Sequence, residues 1–175
     1  MKTLLILRHA KAESHGNAES DHGRALAPQG QDAAARIGVY LREKDLIPDI
    51  IFCSDAVRTV ETLQRITPFL PDGIPQIVDQ SFYLAEGSVL LRSVKNTEDK
   101  YQRILLIGHN PGCQELALNL LTDHNAASAM TLPNKFPAAA LAVLDFDIDQ
   151  WSDLKAGIGY LVDFVSPREP PDPST

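Results

Sequence analysis

The 175-residue chain is poor in cysteine and in aromatic residues, and it has no excess of positive charge. Its two cysteines, Cys53 and Cys113, have neither the spacing of a redox pair nor that of a zinc site. Both read as reduced, semi-buried thiols, and nothing beside either is built to stabilise a thiolate. Lysine and arginine total 16 against 23 aspartate and glutamate, a formal charge of -7. That balance argues against non-specific attraction to nucleic acid or to an anionic membrane, although it allows a local cluster of arginines around an anion. No apolar run approaches the ~20 residues of a membrane-spanning helix. The chain reaches an apolar stretch by Thr3 without a basic-then-apolar leader, so a cytoplasmic location is expected. No internal repeat is visible. One domain over residues 1–165 is expected, followed by a proline-rich flexible tail over 166–175.

What is present is an alternation of short apolar runs and helical periodicities. Leu4 to Leu7 has the composition of a buried strand and stops at Arg8-His9. A cation and an imidazole cannot continue a buried strand without partners. They suit its carboxyl end, where open α/β sheets bind ligands. A polar loop over 12–27 follows, carrying His15, Asp21, His22 and Arg24, and is the expected moving part of any site it borders. Pro28 is placed for a first helical turn, and Ala34, Ile37 and Leu41 share one helical face. Asp49 to Cys53 reads as a second strand. Ser54 and Asp55 read as helix caps, before a helix from about Ala56 to Phe69 with Val60 and Leu63 facing inward. Gln76 to Asp79 is a weak third strand, and Gly87 to Val94 a short helix preceded by Glu86. Arg103 to Gly108 is a strong fourth strand that stops at His109-Asn110-Pro111-Gly112, and a helix carries Cys113, Leu116, Ala117, Leu120 and Leu121. Ala139 to Phe146 and Gly159 to Val165 are the last two strands. The alternation predicts a three-layer α/β sandwich with a largely parallel sheet of about six strands. The missing helix between the last two strands predicts an antiparallel edge.

Two strands therefore end in histidine, His9 and His109, and two arginines, Arg8 and Arg58, lie just after a strand or in a first helical turn. Two imidazoles and two guanidiniums make chemical sense around a phosphoryl group. Arginine forks match phosphate oxygens in pairs and stay charged at every working pH. Helix starts near Asp55 and Asn110 would add amide donors. A neutral imidazole beside that anion could attack phosphorus and form a phosphohistidine, and the second imidazole, protonated, would stabilise charge on the group in transfer. The arginines would do the neutralising, so no metal or other cofactor is expected. The blander readings are a structural hydrogen-bonding role for each histidine and an exposed helix cation for Arg58. His15, His22 and His124 read as solvated. A metal cluster of His15, Glu19, Asp21 and His22 is disfavoured because the loop lacks a ligand period.

These residues resemble the histidine phosphatase superfamily, with its phosphoglycerate mutase-like fold. Arg8-His9 resembles the family's RHG motif. Ser54 to Thr62 (SDAVRTVET) resembles its S-x-x-x-R-x-x-x-T pattern, and Arg24 to Gly30 (RALAPQG) its R-x-L-x-x-x-G pattern. The small size and the RHAK form resemble the SixA-like phosphohistidine phosphatase branch, which lacks the insertions that cover the site in mutases. The resemblance implies that His9 is the nucleophile and that Arg8, Arg58 and His109 complete the phosphate pocket. It also implies that Arg24 helps to bind phosphate or substrate, and Asn110, at its helix start, is expected to bind phosphate as well. Two departures are visible: Ala10 stands where the family has glycine, and the carboxylate acid of many relatives has only Glu86 as its nearest candidate. The implied substrate is phosphohistidine in a protein, such as a phosphorelay domain. The alternatives are a small phosphomonoester handled by the same mechanism, and a non-catalytic phosphate-binding module.

Overall fold

The computed structural model describes residues 1–122 and 132–167. His124 and the tail beyond residue 167 lie outside the described residues. Six strands form one sheet: β1 (Lys2–Arg8), β2 (Ile50–Ser54), β3 (Gln76–Asp79), β4 (Arg103–Gly108), β5 (Leu141–Phe146) and β6 (Tyr160–Val165). Their order across the sheet is β3-β2-β4-β1-β5-β6. The pairs β2–β3, β2–β4 and β1–β4 are parallel. The antiparallel edge is one pairing wider than the sequence indicated, because β5 runs antiparallel to β1 as well as to β6. β5 enters the sheet from the carboxyl end of β1, where the Arg8 amide donates to Ala140 O at 3.0 Å.

The apolar runs of the central strands are buried on both faces, as parallel strands under two helical layers must be. Leu4, Ile6, Ile104 and Leu106 belong to one core, with α3 (Gly87–Lys95) and α4 (Gly112–Leu120). Leu5, Leu7, Leu105 and Ile107 belong to the other, with α1 (Pro28–Glu43) and α2 (Val57–Ile66). The sheet is thus the middle of three layers. α1 begins at Pro28 and buries Ala34, Ile37 and Leu41, the face read from the sequence. α2 is shorter than its periodicity suggested, closing in a 3₁₀ turn over Thr67–Phe69. Its buried face is Arg58, Thr59, Thr62, Leu63 and Ile66, and Val60 is only half-buried. Three of those five side chains are polar, because the start of this helix faces a site as well as a core. Among the described residues no helix is long and apolar enough to cross a membrane.

Two glycines mark where backbones are pressed together. A Cβ on Gly30 would sit 2.1 Å from Lys11 O, so α1 abuts the segment that leaves β1. One on Gly112 would sit 1.9 Å from Ala85 O, which holds α4 against the approach to α3. Any side chain at either position would have to move backbone.

Candidate functional site

β1 and β4 are neighbours with Arg8 opposite Gly108. The next residue of each strand is a histidine, so the register delivers His9 and His109 side by side, with ring centroids 5.2 Å apart. The backbone of His9 is held from both sides: its amide donates to Gly108 O and its carbonyl accepts from the Ala139 amide, each at 3.0 Å. The Ala10 amide donates to Thr62 Oγ1 at 3.1 Å, and Ala10 itself is fully buried. Alanine in place of the family's glycine therefore fits without opening the turn.

The tautomer of His9 follows from its partners. Arg58 Nε, always a donor, lies 3.3 Å from His9 Nε2, so that nitrogen accepts. Nδ1 then carries the proton and donates to Ala10 O at 2.7 Å. Burial, reinforced by the charges of Arg58, Arg8 and Arg24, pulls the His9 pKa down to about 4. At neutral pH the ring is uncharged, with its Nε2 lone pair directed at Arg58.

Arg58 is 3% exposed. Its Nη1 donates to Asp21 O at 2.7 Å, and its Nη2 to Asp21 Oδ2 at 3.0 Å and to His109 Nδ1 at 3.3 Å. One guanidinium thus touches both histidines. His109 accepts at Nδ1 and donates from Nε2 to Ser54 Oγ at 2.7 Å. Ser54 is the last residue of β2 and a partner of His109, not the helix cap its sequence position suggested. Asp55 likewise takes a hydrogen bond from His22 Nε2 at 2.8 Å. The sequence reading has His109 protonated beside the phosphoryl group in transfer; before that group arrives burial, with His9 and Arg58 alongside, lowers its pKa to about 3. In the open pocket it is neutral, and a bound dianion would supply the counter-charge that favours its protonation.

Asp21 holds the assembly together. Its carboxylate accepts from Tyr83 Oη at 2.6 Å, from Arg24 Nη1 at 3.0 Å and from Arg58 Nη2 at 3.0 Å. These donors, Tyr83 foremost, keep it ionised well below the ordinary carboxylate range. The loop that carries it is pinned at many points. Ala12 bridges to Leu26, the Glu13 amide donates to Ala25 O at 2.8 Å, and the Val57 amide donates to His22 O at 3.0 Å. His22 is not free in solvent, since its ring also lies edge-on to Tyr83 with centroids 4.8 Å apart. His15 is exposed, 3.6 Å from Asp21 Oδ1. Among the described residues no group of three or more His, Cys, Asp or Glu is arranged to hold a metal ion.

The cavity at these strand ends encloses about 310 Å³ and is lined by Arg8, His9, Lys11, Arg24, Arg58, His109 and Asn110, among others. Four of its lining side chains are cationic and none is a carboxylate. Arg8 donates from Nη1 to Phe136 O at 3.0 Å, and its buried Nε has no partner. Arg24 lines the cavity but is engaged with Glu13 O at 2.9 Å and with Asp21. Asn110 Nδ2 donates to Phe136 O at 2.9 Å, so its one side-chain donor group is directed at the wall. Glu86 is elsewhere. It is exposed, stands at the start of α3, and lines a separate cleft with Glu115. Cys53 and Cys113 are fully buried rather than semi-buried, and burial pushes each thiol up to about 12. Sequence reasoning missed Asp21 and Tyr83 as parts of the site. The one available signal was an aspartate three residues before Arg24.

A model of the histidine phosphatase superfamily (branch 1) matches residues 4–82. An uncharacterised protein of Mycobacterium tuberculosis is 31% identical over 166 residues, 93% of this chain and 100% of its own length. The chain belongs to the histidine phosphatase superfamily. Two solved structures place it near that superfamily's SixA-like members, and both are assigned as phosphohistidine phosphatase SixA. One, from Agrobacterium tumefaciens, has a TM-score of 0.77 and 28% identity, covering 95% of this chain and 99% of the other. The second, from Nakamurella multipartitia, has a TM-score of 0.79 and 26% identity over 95% and 96% of the two chains. The protein is a SixA-like phosphatase, a hydrolase that acts on a phosphorylated substrate.

Proposed function

We propose that this phosphatase removes the phosphoryl group of phosphohistidine in a protein, by way of a covalent phosphohistidine on His9. The reading rests on one observation above others: a neutral His9 Nε2 in a cavity lined by four cations and no carboxylate. Arg8 and Arg58 clamp the phosphoryl oxygens, with Arg24 behind them. The Nε2 lone pair forms a bond to phosphorus as the substrate's P–N bond breaks, and that bonding pair stays on the departing imidazole nitrogen. The departing ring leaves neutral when its far nitrogen already carries a proton, so the bridging nitrogen needs no acid. An alkoxide would need one, and no carboxylate lines the cavity to act as it.

In the second half water attacks phosphorus. Its oxygen forms the P–O bond, its proton passes to a phosphoryl oxygen or to solvent, and the N–P pair returns to His9. The Nδ1 proton held by Ala10 O makes phospho-His9 a cationic ring whose leaving group is again neutral imidazole. The two SixA-assigned relatives support the same substrate class. The arginines supply the neutralising charge, which favours catalysis independent of metal, and the soluble, reduced setting expected from the sequence favours a cytoplasmic partner.

The test is phosphate release in EDTA from a histidine-phosphorylated protein and from a panel of small phosphomonoesters, with wild type and His9→Ala. Faster release from the phosphoprotein, lost in the variant and indifferent to EDTA, is expected. Preference for an ester, or restoration by a divalent metal after chelation, would overturn the reading.

A further inference from the structure

The segment between β3 and α3 is anchored on both sides of one residue. Before it, Phe82 is buried and stacks on Phe52 with centroids 5.6 Å apart. Tyr83 donates to Asp21 Oδ2 at 2.6 Å and lies edge-on to His109 with centroids 5.4 Å apart. After it, Ala85 O is pressed against Gly112. Between these anchors Leu84 adopts φ 49°, a left-handed conformation that leucine avoids. Its side chain is not tucked into either core but is 52% exposed at the wall of the cationic cavity. Ala12 and Ala138 line the same cavity, so Leu84 belongs to a small apolar part of a wall that is otherwise cationic or polar.

We infer that Leu84 is a specificity-determining contact for a macromolecular substrate, packing against the protein surface that surrounds the target phosphohistidine. The inference rests on the proposed function. A strained residue held by both neighbours is a feature of functional sites. A cavity of about 310 Å³ is at the small end of ligand pockets, enough for a phosphoryl group and the ring that bears it. An exposed leucine at its mouth has nothing to bury against when the substrate is a free amino acid. It gains a partner when the phosphorylated ring projects from a folded surface. The charge of the cavity fixes where that surface docks, and Leu84 reads what lies beside the phosphoryl group.

The experiment compares kcat/KM for two phosphohistidine substrates, a histidine phosphotransfer domain charged with phosphoramidate and the free amino acid phosphohistidine. Wild type, Leu84→Asn and Leu84→Met are assayed on both. Asparagine tolerates positive φ and removes only the apolar contact, while methionine keeps it. Wild type is expected to favour the phosphoprotein. Leu84→Asn should lose about tenfold on it, chiefly through KM, with Leu84→Met restoring the rate. The loss on the free amino acid should be smaller than the loss on the phosphoprotein. No preference in wild type, or a loss in Leu84→Asn shared equally by both substrates, overturns the inference and leaves the phosphohistidine reading intact. Wild type that hydrolyses esters but neither phosphohistidine substrate overturns both.

Discussion

Two clefts open near α3 and α4, and they differ in sign. The cavity at the ends of β1 and β4 is lined by Arg8, Lys11, Arg24 and Arg58. The smaller cleft between α3 and α4 is lined by Glu86 and Glu115. In the first, charge is held against charge: Asp21 ties Arg24 and Arg58 together, and Arg58 reaches both histidines. In the second, Glu115 Oε2 accepts from the Gly87 amide at 3.2 Å, serving the start of α3. Glu86 has no such bond, although it stands at the N-cap position. The difference teaches that a carboxylate following a strand of the same sheet, as Glu86 follows β3, is not thereby near the chemistry. Helix geometry turned this one into a separate cleft.

The contrast is open to direct attack. The largest effect is expected at the centre of the cationic cavity. His9→Ala should reduce phosphate release by about 10³-fold or more, with no acid-labile phosphoenzyme trapped on rapid quenching. Arg58→Ala should cost about 10²-fold, lowering kcat and raising KM together, because the guanidinium serves both bound substrate and transition state. Full activity in that variant would place Arg58 outside the working pocket. Asp21→Asn removes no cavity-lining group but loosens the arginines. A drop of about tenfold is expected, with the melting temperature lowered as well.

The pH dependence sharpens the same comparison at smaller amplitude. The His9 pKa is depressed to about 4, so its nucleophilic neutral form persists as pH falls from 7 to 5 and is lost only as pH passes through about 4. An imidazole signal followed by NMR should show that midpoint in the free enzyme and move upward when orthophosphate fills the cavity. A midpoint near the ordinary value of about 6.5 would contradict the buried, arginine-flanked geometry. Glu86→Gln closes the series: turnover of phosphohistidine should not change. A loss there would bring the acidic cleft into the chemistry.

Much of this was legible in the residues. LLIL and ILLI are buried on both faces in two adjacent parallel strands, and each ends in a histidine, because a charged or polar ring cannot continue a buried strand unpartnered. Arg58 was legible from its place in SDAVRTVET. Other readings failed for local reasons. Ser54 and Asp55 have cap chemistry, but the polypeptide spends them on His109 and His22. Val60 sits on the helical apolar period, yet the buried face of α2 is rotated toward Arg58, Thr59 and Thr62, which serve the site. The charge of His109 was legible only for the occupied site: burial beside His9 and Arg58 lowers its pKa, so its protonation depends on the counter-charge a bound phosphoryl group brings.

The sequence by itself determined the order of strands and helices, the residues at the strand ends and the excess of arginine there, because apolar periodicity and charge are local properties of a chain. Only the tertiary structure decided that Arg8 pairs with Gly108 and so sets His9 beside His109. It also decided that Asp21, far from Arg58 and Tyr83 in the chain, binds both, and that Glu86 faces another cleft. Those outcomes depend on sheet register and on the direction in which each helix leaves its strand. Both are set by packing between residues distant in the chain.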